Sequence, residues 1–120
     1  MNIADLVDVI KRRPDFEKVG MILCHNGVVR ATTRNGRSVK GLKVLVDYSK
    51  LEKVIFEQKQ KPGIVDIQVK IANNRDLAVG DDIMLLIVAG DIRENVIGVL
   101  KDTLEAIKTT VTEKIEYVIE

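Results

Sequence analysis

The run IMLLIVAG, residues 83–90, most constrains how this 120-residue chain can fold. It carries no charged side chain and shows no alternation of apolar and polar residues, so neither of its faces suits water. At eight residues it is far shorter than the roughly 20 that a membrane span needs. Such a run is typical of a central β-strand covered on both faces. We therefore expect a sheet with helices packed against it.

Four further segments have the character of β-strands. Val19–Arg30 and Val39–Tyr48 are rich in apolar residues, and Asn35-Gly36 between them suits the tight turn of a β-hairpin. Residues 64–72, IVDIQVKIA, alternate almost perfectly and predict a half-buried strand. Residues 112–120 alternate in the same way. These segments supply strand partners for the central run.

Apolar residues at helical spacing predict three helices. The first covers Ile3 to Ile10 and stops before Pro14. The second should begin at Ser49 as N-cap, with Glu52 three residues later completing a capping box. The third is expected to be long and to begin with Asp91 as its cap.

The predicted order is α-β-β-α-β-β-α-β, with residues 73–82 as a loop. This order predicts an α+β fold in which a mixed sheet is covered by helices. No linker, repeat or low-complexity segment interrupts the chain. Residues 1–120 are therefore expected to form a single domain.

Composition excludes several classes of function. The net charge of +1 and the 3% of aromatic residues argue against nucleic-acid binding and against capture by an anionic membrane. One cysteine, Cys24, and one histidine, His25, leave neither a disulfide framework nor a Cys/His metal site, so no metal or cofactor is expected. The N-terminus lacks the continuous apolar stretch of a signal peptide, which favours a cytoplasmic protein.

Positive charge is concentrated around the Asn35-Gly36 turn. Arg30, at the end of the first predicted strand, is a candidate for half of an anion site. Arg34 and Arg37 at the tip are interpreted as solvated surface charges. His25 is interpreted as a partly buried structural histidine.

Two stretches resemble the large subunit of molybdopterin synthase, the MoaE family. VGMILCHNGVVR, followed by the basic turn, is similar to that family's glycine-x-valine-arginine strand. LAVGDDIMLLIVAGDIRENVIGVLKDTLEAIK is similar to its pattern of apolar strand, arginine, long helix and lysine. The resemblance covers roughly residues 18–115. It implies the family's fold, of the α/β-hammerhead type.

The resemblance also implies an activity and its residues. The family enzyme is a sulfurtransferase of molybdenum cofactor biosynthesis. It moves sulfur from the thiocarboxylated tail of a ubiquitin-like, MoaD-like small subunit onto a cyclic pterin phosphate. By correspondence, Arg30 and Arg93 would bind the anionic substrate, and Lys108 and Lys114 would be catalytic.

Arg93 and Lys108 lie fifteen positions apart, about 22 Å along a straight helix at 1.5 Å per residue. One small ligand cannot touch both within one chain. The resemblance implies that the arginine of one protomer serves the lysines of the other, so a homodimer is expected.

Two departures from the family pattern keep an alternative open. Ile92 stands where the family usually has histidine, and TTVTE, residues 109–113, replaces a proline-aromatic-tryptophan segment. The alternative is a non-catalytic MoaE-related dimeric scaffold or a small-anion-binding protein.

Overall fold

The structure is a computed structural model that describes residues 2–119. Within that range it contains three α-helices, six β-strands and a π-helical turn. The helices are α1 (Ile3–Lys11), α2 (Tyr48–Lys59) and α3 (Arg93–Ala106), and the π-helical turn is Ile107–Val111. The strands are β1 (Met21–Val28), β2 (Val39–Val46), β3 (Ile64–Ile71), β4 (Asp76–Ala78), β5 (Asp82–Gly90) and β6 (Thr112–Val118).

The apolar run forms β5, the centre of a three-stranded sheet with the order β1-β5-β3. Leu85, Ile87 and Ala89 pack against α1, whereas Leu86 and Val88 pack against α3. Both faces of the strand are therefore covered by helices, as the absence of alternation predicted. The α+β class is confirmed.

The remaining strands form a second sheet with the order β4-β2-β6. Every strand pair among the described residues is antiparallel, so the mixed sheet that we expected is replaced by two antiparallel sheets. The short strand β4 lies in the segment predicted as a loop. Three residues are too few to produce a periodic signal.

The predicted hairpin between β1 and β2 is wrong as a strand pair. Gly36 does adopt a positive φ of 87°, and a single bridge joins Thr32 to Ser38 beneath the turn. Beyond that bridge β1 pairs with β5 and β2 pairs with β4 and β6. The local turn therefore forms, and each flanking strand enters a different sheet.

Two helix starts also differ from expectation. Asp47, not Ser49, is the N-cap of α2, and its carboxylate accepts a hydrogen bond from the amide of Lys50 at 3.1 Å. Helix α3 begins at Arg93, one residue later than an Asp91 cap would place it. Asp91 instead accepts hydrogen bonds from the side chain of Asn95 and the amide of Ile92. These bonds stabilise its carboxylate and lower its pKa.

A buried ion cluster ties α2 and the segment that follows α1 to β3. The carboxylate of Asp66 is 1% exposed and lies 3.0 Å from the Nζ of Lys59 and 3.7 Å from the guanidinium of Arg13. It also accepts hydrogen bonds from the amide of Ile67 and the side chain of Gln68. We call these residues the Asp66 cluster. A buried charge with this many partners is a structural element of the fold.

Among residues 2–119, no helix has the length and apolar character needed to cross a membrane.

Candidate functional site

A groove of about 490 Å³ is lined by residues from both sheets and from the π-helical turn. We call it the cationic groove. Its lining residues are His25, Gly27, Val28, Arg30, Thr32, Arg34, Leu42, Val44, Ile71, Ile83, Met84, Lys108, Thr112, Lys114 and Glu116.

The groove has an apolar floor beneath a charged rim. Leu42, Val44 and Met84 on its floor are each at most 6% exposed, because they belong to the hydrophobic core. The arginine and lysine side chains of the rim are solvent-exposed. Charges at the edge of such a low-dielectric surface interact with a bound anion more strongly than charges fully surrounded by water.

Arg30 reaches the groove from the segment that follows β1. The preceding residue, Val29, is 2% exposed, and its amide donates a hydrogen bond to the carbonyl of Asp81. This anchors the end of the strand. The Nε of Arg30 donates to the carbonyl of Thr32 at 2.9 Å, which orients the guanidinium and leaves its terminal N–H groups available for a ligand.

Lys108 lies on the π-helical turn Ile107–Val111 that follows α3. Ile107 and Val111 are buried at the two ends of this turn and fix it to the core. The hydroxyl of Thr110 in this turn donates to the carbonyl of Ala106, the last residue of α3, at 2.7 Å. Lys108 is exposed between these anchors, and π-helical turns are frequent at functional sites.

Lys114 reaches the groove through the alternation of β6. Thr112, Lys114 and Glu116 line the groove, so they share one face of the strand. Their cross-strand partners on β2 are Val46, Val44 and Leu42 respectively. The lysine therefore stands beside an apolar floor residue, and Glu116 is the carboxylate of the rim.

Arg93, the remaining candidate, is not part of the groove. It is the first residue of α3, its side chain is 79% exposed, and its closest carboxylate is Glu94 at 3.9 Å. The fourteen residues of α3 separate it from the turn that carries Lys108, about 21 Å along the axis. The fold thus brings together Arg30, Lys108 and Lys114 and leaves Arg93 apart.

Two groove residues were not predicted as such from the sequence. Arg34, interpreted as a surface charge, lines the groove together with Arg30. His25 lines it as well, on the same face of β1 as Gly27. Alternation counted back from Arg30 in steps of two reaches Val28 and Asn26, so it could not have indicated His25; the register shift between Gly27 and Val28 changes the parity. Burial and the nearby charge of Lys108 lower the pKa of this histidine below its ordinary value of 6.5.

The chemistry of the groove is that of an anion site. Among the described residues that line the groove, four are basic, Arg30, Arg34, Lys108 and Lys114, and one is acidic, Glu116. Arginine presents a planar fork to phosphate or carboxylate oxygens, and lysine supplies a mobile point charge. Such a set can hold an anion and stabilise negative charge that develops during a reaction.

Three solved structures with the same fold are proteins of molybdopterin biosynthesis. The molybdopterin synthase of Staphylococcus aureus is 23% identical over 87% of this chain and 78% of its own, with a TM-score of 0.73. Molybdopterin cofactor biosynthesis protein E of Burkholderia multivorans is 21% identical over 99% and 84%, with a TM-score of 0.77. At these identities the likeness establishes the fold alone.

A third similar structure is the complex of subunits 1 and 2 of the molybdopterin-converting factor of Helicobacter pylori. It is 19% identical over 98% of this chain and 80% of its own, with a TM-score of 0.72. No curated protein matches the chain significantly. The family model described as MoaE protein matches residues 1–110. The resemblance seen in the sequence is thereby confirmed, and this chain belongs to the MoaE family.

Proposed function

We propose that this chain acts in molybdenum cofactor biosynthesis as the large subunit of a molybdopterin synthase. In this role it would transfer sulfur from a thiocarboxylated small subunit to a cyclic pterin phosphate. Membership of the MoaE family supports the role in cofactor biosynthesis. The observation that carries the finer proposal is the convergence of Arg30, Lys108 and Lys114 on one groove with an apolar floor.

Each residue has a task that suits its chemistry. Arg30, oriented by its bond to the Thr32 carbonyl, binds the phosphate of the pterin. Lys108 on the π-helical turn and Lys114 on β6 line the same groove. They stabilise the negative charge that develops as sulfur leaves the thiocarboxylate. Sulfur transfer brings two anionic groups together, and the excess of cations over carboxylates in the groove favours their approach.

The small partner is proposed to be a MoaD-like sulfur carrier, in the cytoplasm, whose extended tail enters the groove. The two-subunit complex from Helicobacter pylori supports such a partner for a protein of this fold.

A homodimer completes the proposal. Within residues 2–119 the nearest carboxylate to Arg93 is that of its neighbour Glu94 at 3.9 Å, and Arg93 lies outside the groove of its own chain, exposed at the start of α3. We infer that it serves the groove of a second protomer, where it would add a further cation beside Lys108.

The first experiment measures sulfur transfer directly. Purified protein is mixed with a thiocarboxylated small subunit and the pterin precursor, and dithiolene formation is followed. Lys108→Ala should lower turnover about a hundredfold or more, because it removes a charge that stabilises the transition state. Lys101→Ala is the matched control, since Lys101 is an exposed lysine of α3 outside the groove.

Wild-type protein that forms no dithiolene would exclude the synthase and leave the alternative, a MoaE-related scaffold or anion-binding protein. Equal losses in Lys108→Ala and Lys101→Ala would contradict the assignment of Lys108.

A second experiment tests the shared site. Arg93→Ala and Lys108→Ala are each assayed alone and then after dissociation and reassociation as a mixture. If the arginine acts across the dimer, half of the reassembled dimers are mixed and each contains one intact site. The mixture should then recover about a quarter of wild-type activity. No recovery, from mixed dimers verified by mass spectrometry, would mean that each site takes both residues from the same chain. Wild-type turnover by Arg93→Ala alone would remove Arg93 from the site.

A further inference from the structure

His25 occupies a place in the cationic groove that neither the sulfur-transfer proposal nor the structural interpretation of this residue accounts for. Its ring Nε2 lies above Gly27, 3.6 Å from where a Cβ of that residue would stand. The side chain is half-buried, and among the described residues it has no hydrogen-bond partner. A polar ring held at a groove wall without a protein partner is available to a ligand.

The charged side chains that line the groove together with this imidazole come from three other segments of the chain. They are Arg30 and Arg34 from the segment after β1, Lys108 from the π-helical turn, and Lys114 and Glu116 from β6. Its neighbours on the adjacent strand β5 are apolar, with Leu86 directly opposite. Burial and the Lys108 charge lower its pKa, so the imidazole is neutral in the empty groove at pH 7.

We propose that His25 becomes a cation of the groove only when a ligand binds. The imidazole is neutral when the groove is empty and takes up a proton when an anion binds. A bound anion offsets the repulsion from Lys108 and adds its own attraction for the imidazolium. The ligand class is therefore one that brings more than one negative charge, such as a dianion or two anionic groups together. This inference rests on the proposed function only in its premise that an anion binds in the same groove.

The sign of the pH dependence follows from linkage. The pKa of His25 is higher in the bound state than in the free state, so binding takes up a proton between these two values. Anion affinity is constant above the bound-state pKa, rises as the pH falls through it, and becomes constant again below the free-state pKa. The expected gain is about fivefold, the effect of one charge at about 4 Å in fully screened surroundings.

The test uses sulfate as the probe, because its charge does not change between pH 5 and 8. His25 is the single histidine of the chain, so its ring protons report on this site alone in an NMR titration. The titration is run on the full chain at constant ionic strength, with and without saturating sulfate. Saturation is followed through the amides of Gly27 and Arg30. The imidazole midpoint should lie below 6.5 without sulfate and rise when sulfate is bound.

Two variants separate His25 from other titrating groups. His25→Gln retains polarity and cannot take up the proton, so its sulfate affinity should be nearly independent of pH. Lys108→Ala should raise the midpoint of the empty groove part of the way, since burial also lowers it, while Lys101→Ala should leave it unchanged.

Three results would overturn the proposal: no saturable binding of sulfate, an unchanged imidazole midpoint at saturation, or the same pH dependence in His25→Gln. The same pH dependence in His25→Gln would mean that another group, such as Glu116, takes up the proton. None of these measurements needs sulfur transfer. A protein that shows the linkage without forming dithiolene would keep this inference and lose the synthase assignment.

Discussion

The Asp66 cluster and the cationic groove show two opposite uses of charge in one small protein. In the cluster a buried carboxylate is matched at short range by Lys59, Arg13 and two amide donors. In the groove, among the described residues, neither Arg30, Lys108 nor Lys114 lies within salt-bridge distance of a carboxylate. Charge that holds elements together is paired inside the protein, and the charge that we propose to bind a ligand is left unpaired at its surface.

The two regions should differ most in how strongly a substitution lowers the free energy of unfolding. Asp66→Ala removes the carboxylate that links α2 and the segment after α1 to β3, and we expect the free energy of unfolding to fall by about 2 kcal/mol. The value is moderate because Lys59 and Arg13 are each about one third exposed and can be rehydrated.

Urea denaturation followed by circular dichroism measures this change. The free energy of unfolding of Lys108→Ala should stay within about 0.5 kcal/mol of the wild-type value, because Lys108 forms no salt bridge with another described residue. Equal destabilisation by the two substitutions would remove the distinction between structural and ligand-directed charge.

Arg30→Ala should show the reverse pattern, an intact fold with weakened anion binding. We expect sulfate affinity at pH 7 to fall about tenfold, the loss of one charge-assisted contact to the ligand. Isothermal titration calorimetry measures it. Arg37→Ala is the control, because Arg37 belongs to the same basic turn and is absent from the groove lining. A similar loss in both variants would indicate general attraction by the turn and not a site.

The smallest expected effect concerns the carboxylate of the rim. Glu116→Gln removes the negative charge that opposes an anion, so sulfate affinity at pH 7 should rise roughly threefold. Glu113→Gln is the matched control on the same strand, since Glu113 is exposed and does not line the groove. A fall in affinity would mean that Glu116 orients one of the lysines instead of opposing the ligand.

The sequence predicted those features that depend on local pattern. The unbroken apolar run correctly indicated the central strand β5, and the alternation in residues 64–72 and 112–120 correctly indicated β3 and β6. The pairing of the strands could not be predicted from local pattern. Asn35-Gly36 specifies a tight turn, but pairing with β5, more than fifty residues away, decides where β1 goes.

The residues of the candidate site were likewise predicted only in part. The family resemblance selected Arg30, Lys108 and Lys114, and the fold places these three together. Arg34 and His25 were missed because their part in the groove depends on how β1 is positioned relative to β6. No pattern within a single strand records the position of a distant strand.

The groove takes its residues from both sheets, and this has a consequence for local opening of the fold. Gly27 and Met84 belong to one sheet, whereas Leu42 and Lys114 belong to the other. An occupant of the groove would therefore act as a removable clamp between them. Because β6 is an edge strand of its sheet, its amides should exchange with deuterium more slowly when the groove is filled. Strand β3 contributes a single side chain, Ile71, to the groove, so its amides should respond less, and the exchange pattern would show where the clamp acts.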